Sequence, residues 1–220
     1  MTLSDHPLAR WPQDSPLYPQ RILPFLADRA PAAITCKGNP SILNSPALAL
    51  FCSAKCPGKL ILATYDLAQQ WRQAGTTIIS GFHSPMEREC LNVLLRGSGS
   101  LILCPARSLT RLRLRAELRQ PSAKGRLLFL SPFSEKVRRA SVETALYRNQ
   151  FVAALADAIF VAYADRGSKT EVFCRQVLAW GKSLYTLRNE ANAPLLDAGA
   201  KPYPPLPTPI PPPPSFSRMP

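Results

Sequence analysis

The chain has 220 residues, 46% of them hydrophobic, enough for one domain of ordinary size with its own core. Its 27 Lys and Arg against 14 Asp and Glu leave a formal net charge of +13, which points to a polyanionic partner. No run of about 18 uninterrupted apolar residues occurs. The opening MTLSDHPLARWPQDSP lacks a charged segment followed by an apolar one. Neither a membrane span nor an exported leader is expected, and a soluble cytoplasmic protein is.

Prolines divide the chain. Of 24, eight lie within residues 1–46 and ten from Pro202 onward. Residues 1–45 therefore read as an entry segment packing on the domain, 46–201 as the domain, and 202–220 as a proline-rich disordered tail of extended polyproline II character. Within the domain, ALALFC (47–52) reads as a buried strand. LILATYDLAQQWRQAG places Leu60, Thr64, Leu67, Trp71 and Ala74 on one helical stripe that stops at Gly75. TTIIS is the next strand, PMERECLNVLL a helix with Pro85 in its first turn, and SLILC a third strand. RLLFL (126–130), a helix across RASVETALYRNQFVAALA, AIFVAY (158–163), the helix TEVFCRQVLAWG and SLYTL complete the series. Six strands alternating with helices predict an α/β doubly wound, mostly parallel sheet with helices on both faces.

Six scattered cysteines without a C-x-x-C, and only two histidines, read as reduced, partly buried thiols, so no metal and no cofactor are expected. Loops at strand carboxyl ends open helices whose free N–H groups favour anions. Three such loops are candidate phosphate sites. The first carries Ser53 and Lys55, the second Ser80, Gly81, Phe82 and His83, and the third Gly167, Ser168, Lys169 and Thr170 beside Arg166. Arg148 and Asn149 on the long helix are candidates to fork onto phosphate or to brace a loop. Between Arg107 and Arg139 lie ten Lys or Arg and two Glu. Arg107, Arg111, Arg115 and Arg119, four apart, predict a basic ridge on one side of a helix or helix-like turn, suited to a nucleic-acid backbone. A P-loop, a Ser/His/Asp elbow and a paired-carboxylate motif are not found.

Much of the chain also resembles the DNA-processing protein A (DprA, or Smf) family. SPLYPQRILPFLADRAPAAITCKGN is similar to the family's entry segment, and ILNSPALALFCSAK to its "LNxPxxAIVGSR". SGFHSPMERE stands where the family has "SGxAxGIDxxAH", Tyr147-Arg148-Asn149-Gln150 is similar to "RNR", and GSKTEVFCRQVLAWGKSLYTL follows "SGSLxTAxxAxxxGRxVxAVPG". NAPLLDAGAKPY looks like the closing "GxxxLIxxGA", so the likeness runs in order over about residues 15–203. It implies an extended Rossmann fold. It also implies non-enzymatic binding of single-stranded DNA, with loading of a RecA-type recombinase in natural transformation. A recombinase and a second copy of the chain are the further partners it allows, and no membrane is among them. By the same resemblance Lys55 stands at the arginine of "GSR" and Arg148 at the first of "RNR", with Gln150 at the second. Departures are Ser53-Ala54 for Gly-Ser, Pro85 and Glu87 for the Gly and Asp of "GID", and Leu91 in place of His. An alternative is a nucleotide-binding or N-glycosidic hydrolase resembling the "Lonely guy" phosphoribohydrolases. Arg166 to Glu171 would be a degraded form of their "PGGxGTxxE" loop, with Glu171 in the acidic position.

Overall fold

The computed structural model describes residues 7–203; the proline-rich stretch from 204 onward lies outside the described residues. One nine-stranded sheet runs through it in the order β1-β2-β6-β5-β4-β3-β7-β8-β9. Its strands are β1 (Ala9–Pro12), β2 (Ala33–Gly38), β3 (Ala47–Phe51), β4 (Thr77–Ser80), β5 (Leu101–Leu103), β6 (Leu127–Ser131), β7 (Ala158–Val161), β8 (Leu184–Thr186) and β9 (Lys201–Pro202). From β6 to β9 all pairs are parallel, whereas β1 on β2 and β2 on β6 are antiparallel. The helices are α1 (Leu23–Leu26), α2 (Gly58–Ala74), α3 (Pro85–Leu94), α4 (Arg119–Ala123), α5 (Val142–Leu155), α6 (Lys169–Ala179) and α7 (Ala193–Asp197).

The six strands expected from alternation are β3 to β8, and every residue of β3, β4, β5, β6 and β7 is buried. A parallel strand covered on both faces reads as a continuous apolar run, which is why these were legible. The three further strands carry no such run. β2 alternates half-buried and buried residues, β1 ends in proline at the sheet edge, and β9 has two residues.

Helices α2 and α3 cover one face through Leu67, Ala68, Trp71, Met86, Cys90 and Val93. Helices α5 and α6 cover the other through Phe151, Val152, Leu155, Phe173 and Val177. The glycine after α2 takes φ 66 and closes the helix as its left-handed stop. Five of the six cysteines are buried, and burial pushes the thiols of Cys36, Cys104 and Cys174 up to about 12, so they pack as small hydrophobes. Among the described residues no helix is long and apolar enough to cross a membrane.

Candidate functional site

From β3 the chain steps outward through β4, β5 and β6 on one side and through β7, β8 and β9 on the other. The carboxyl ends of β3 and β7 therefore flank the switch point at which such sheets bind ligands. Ser53 lies just after β3. It is buried, its N–H donates to Tyr163 O at 2.9 Å, and its Oγ accepts from the Asp165 N–H at 3.1 Å. It ties the two switch loops together. Lys55 is exposed at the edge of a pocket of about 620 Å³ that also carries Cys56, Tyr163 and Asp165.

The loop after β4 was expected to cradle a phosphate, and here the structure corrects the reading. Part of its donor set, with one donor from the loop after β3, is taken by the chain's own Glu87, and the Phe82 N–H donates to Ser80 Oγ at 3.0 Å. One carboxylate oxygen accepts from the Cys52 N–H at 3.1 Å and the other from the His83 N–H at 2.8 Å, with Ser80 Oγ 3.4 Å away. Ser84 caps α3 by accepting from the Glu87 N–H at 3.3 Å. Glu87 is 6% exposed, so an internal carboxylate sits where the helix N-terminus and strand ends would otherwise draw an anion. The third loop is satisfied in the same manner. Glu171 accepts from the Gly167 N–H at 2.6 Å and from Arg175 at 2.9 Å, while Ser168 caps α6. The Arg175 guanidinium, with the Gly167 N–H, holds the Glu171 carboxyl below its usual 4.5. A carboxylate so held stays ionised near neutral pH and is a poor proton donor. Lys169 is exposed and Thr170 half-buried at the start of α6, two strands away from the loop after β4.

Of the two roles open to Arg148, the structure shows the loop brace. It is 4% exposed, Nη1 donates to Cys104 O at 3.0 Å, and Nε donates to Asn149 Oδ1 at 2.8 Å. Its guanidinium lies against Gly81, so closely that a Cβ there would stand 1.4 Å from Nη1. Arg148 thus braces the loop after β4 to the end of β5, Asn149 orients it, and only its edge reaches a cleft.

That cleft is the basic feature of the molecule. It measures about 880 Å³ and opens at the carboxyl ends of β4 and β5. His83, Arg88, Arg107, Arg113, Arg115 and Arg148 line it, with Glu89 and Glu117 as its acids. Its floor is apolar, including Phe82, Leu103, Leu118 and Phe129, all under a tenth exposed. The predicted helical ridge does not exist, because residues 107–115 form an irregular loop and the first helix after it is α4. In TRLRLRA the period is two: Leu112 and Leu114 pack half-buried on the core, which sends Arg111, Arg113 and Arg115 outward. Arg107 and Arg115 stay in the cleft, Arg111 faces a neighbouring groove, and Arg119 is exposed at the start of α4. Arg88 and Arg113 were missed, and the strict alternation of Leu and Arg was the signal for Arg113. Arg126 contributes nothing to the cleft. It is buried and donates to the carbonyls of Leu94, Leu95, Ser98 and Gly99, closing the end of α3.

The chain's fold is shared with solved structures. It is similar to DNA processing protein A from Streptococcus pneumoniae, at 19% identity and a TM-score of 0.73 over 89% of this chain and 71% of that one. It is also similar to DNA processing protein A from Helicobacter pylori, whose structure concerns its single-stranded DNA binding mode, at 20% identity and a TM-score of 0.69 over 91% and 92%. A molybdenum cofactor binding protein from Rippkaea orientalis matches at 11% identity with a TM-score of 0.50, over 70% and 83%. Comparison with curated proteins gives no match. The family model of DNA recombination-mediator protein A matches residues 10–203, nearly the whole described structure, and the chain therefore belongs to that family.

Proposed function

We propose that this protein binds single-stranded DNA along the cleft at the ends of β4 and β5, without catalysing a reaction on it. The observation that carries the proposal is the cleft itself: five arginines and a histidine ring an apolar floor, with two acids among them. Phosphates would lie on the guanidinium rim, where charge and forked donors both suit them, and unpaired bases would lie over the floor. A duplex keeps its bases stacked inside and has no use for that floor. Ser80, Gly81, Asn149, Gly167 and Ser168 act in this reading as the frame of the loops and not as ligands. Lys55 and Lys169, farther along the same sheet edge, supply outlying charge.

Membership of the family supports a role in DNA processing, and the expectation of handing a strand to a RecA-type recombinase during natural transformation rests on that membership alone. The buried reduced cysteines suit a reducing compartment such as the cytoplasm. Fluorescence anisotropy with a labelled oligothymidylate tests the cleft. The wild type should bind with log affinity falling linearly in log salt. The charge reversals Arg113→Glu and Arg115→Glu together should cost at least roughly tenfold and flatten the slope by about 0.7 per lost phosphate contact. Binding that ignores both salt and these reversals would refute the reading.

A further inference from the structure

A second concavity, of about 500 Å³, lies across the 107–111 loop from the cleft. Arg107, Arg111, Arg138 and Arg139 line it, with Glu135 as its acid. Arg111, Arg138 and Arg139 are exposed, and none of the four arginines forms an ion pair among the described residues. Four guanidinium groups around one hollow repel each other, so the arrangement suits a partner that brings several negative charges in a row. Arg107 lines both concavities and so stands on the ridge between them. The ridge is rigid: Ser131 Oγ donates to Arg107 O at 2.9 Å, and the Ser108 N–H donates to Val137 O at 2.8 Å, binding one wall to the other.

Every cation lining the two concavities apart from His83 is an arginine, although lysines are present elsewhere in the chain. Arginine adds to its charge a planar face that stacks on bases and a fork that fits phosphate. That choice favours a flexible strand with accessible bases over a smooth anionic surface. We propose that the strand held in the cleft continues over Arg107 into this second groove, so that the two hollows form one path and set a longer binding site. The inference rests on the single-stranded DNA reading of the cleft and goes beyond it by assigning Arg111, Arg138 and Arg139 to the same ligand.

The test uses the full chain and two labelled oligothymidylates, one of about 5 nucleotides and one of about 15, spanning the usual site sizes. Wild type should bind the longer strand at least tenfold more tightly. The double variant Arg138→Glu/Arg139→Glu should lose that advantage, flatten the salt slope for the longer strand by roughly 1.4, and leave the shorter strand unaffected. Arg138→Lys/Arg139→Lys keeps the charge and should keep the slope. Both side chains are exposed, so equal melting temperatures are expected for all forms. If the reversal leaves the longer strand's affinity and slope unchanged while Arg113→Glu/Arg115→Glu weakens both strands, the second groove is excluded and the cleft stands. If wild type binds neither length in a salt-dependent manner, the cleft reading falls and this inference with it.

Discussion

Two side chains decide what the strand-end loops do. Glu87 accepts from the Cys52 and His83 N–H groups at the ends of β3 and β4, and Arg148 occupies the space beside Gly81. Gly81 is therefore required for contact and not for conformation. Gly81→Ala places a methyl group inside the guanidinium, so Arg148 must leave its bond to Cys104 O. The guanidinium is the far end of a flexible side chain and can give way, so the loss is chiefly that of the buried hydrogen bond, about 1 to 3 kcal/mol, seen as a lower melting temperature. A variant as stable as wild type would show that Arg148 has no such bracing role. Glu171 gives a pH dependence. Its folded carboxyl titrates below the unfolded value of about 4.5, so its contribution is complete above that pH and disappears as the pH falls through the lowered folded value. Glu171→Gln should accordingly narrow the stability gap between pH 7 and pH 3. Urea midpoints at the two pH values measure this, and an unchanged gap contradicts it.

At the scale of the element, the loop of residues 107–115 separates a pattern of charge from a pattern of packing. Arginines four apart suggested a helix, yet from Arg111 to Arg115 arginine and leucine alternate strictly, and burying Leu112 and Leu114 is what orients the charges. The apolar side chains thus place the arginines. Leu112→Ala with Leu114→Ala removes no charge but loosens this anchorage. DNA affinity should fall about threefold to tenfold in anisotropy titrations, while the sheet, which does not depend on the loop, keeps its far-ultraviolet dichroism. Unchanged affinity would mean that the arginines hold their places without the leucines. The same competition explains the edges of the sheet. β1 and β2 come from the proline-rich entry segment; β2, whose Ile34 and Thr35 suit extension, pairs with the edge that β6 offers, and β1 then pairs with β2.

Across the whole molecule the charge of +13 is not spread evenly in its effect. Arg126 is used up at the end of α3, Arg175 on Glu171 and Arg148 on Cys104 O, and Arg115 pairs with Glu117 at 3.7 Å, while Arg88, Arg107, Arg111, Arg113, Arg138 and Arg139 form no ion pair among the described residues. Residues 204–220 hold one basic residue, Arg218, so they can offer few phosphate contacts. Their deletion should leave the affinity for single-stranded DNA within tenfold of wild type at fixed salt. A larger loss would place part of the interface in that segment.

Legible in the sequence were the doubly wound sheet, the buried strands in their order along the chain, the helix stop at Gly75 and the excess of basic residues. Those properties follow from local pattern, because continuous apolar runs, capping residues and summed charge are read along the chain. Only the tertiary structure decided which polar groups are free. Whether a helix N-terminus holds a ligand or Glu87, and whether Arg148 meets solvent or Gly81, depends on side chains brought together from distant strands. Burial then sets the outcome, since a donor already satisfied inside the fold has nothing left to offer a phosphate.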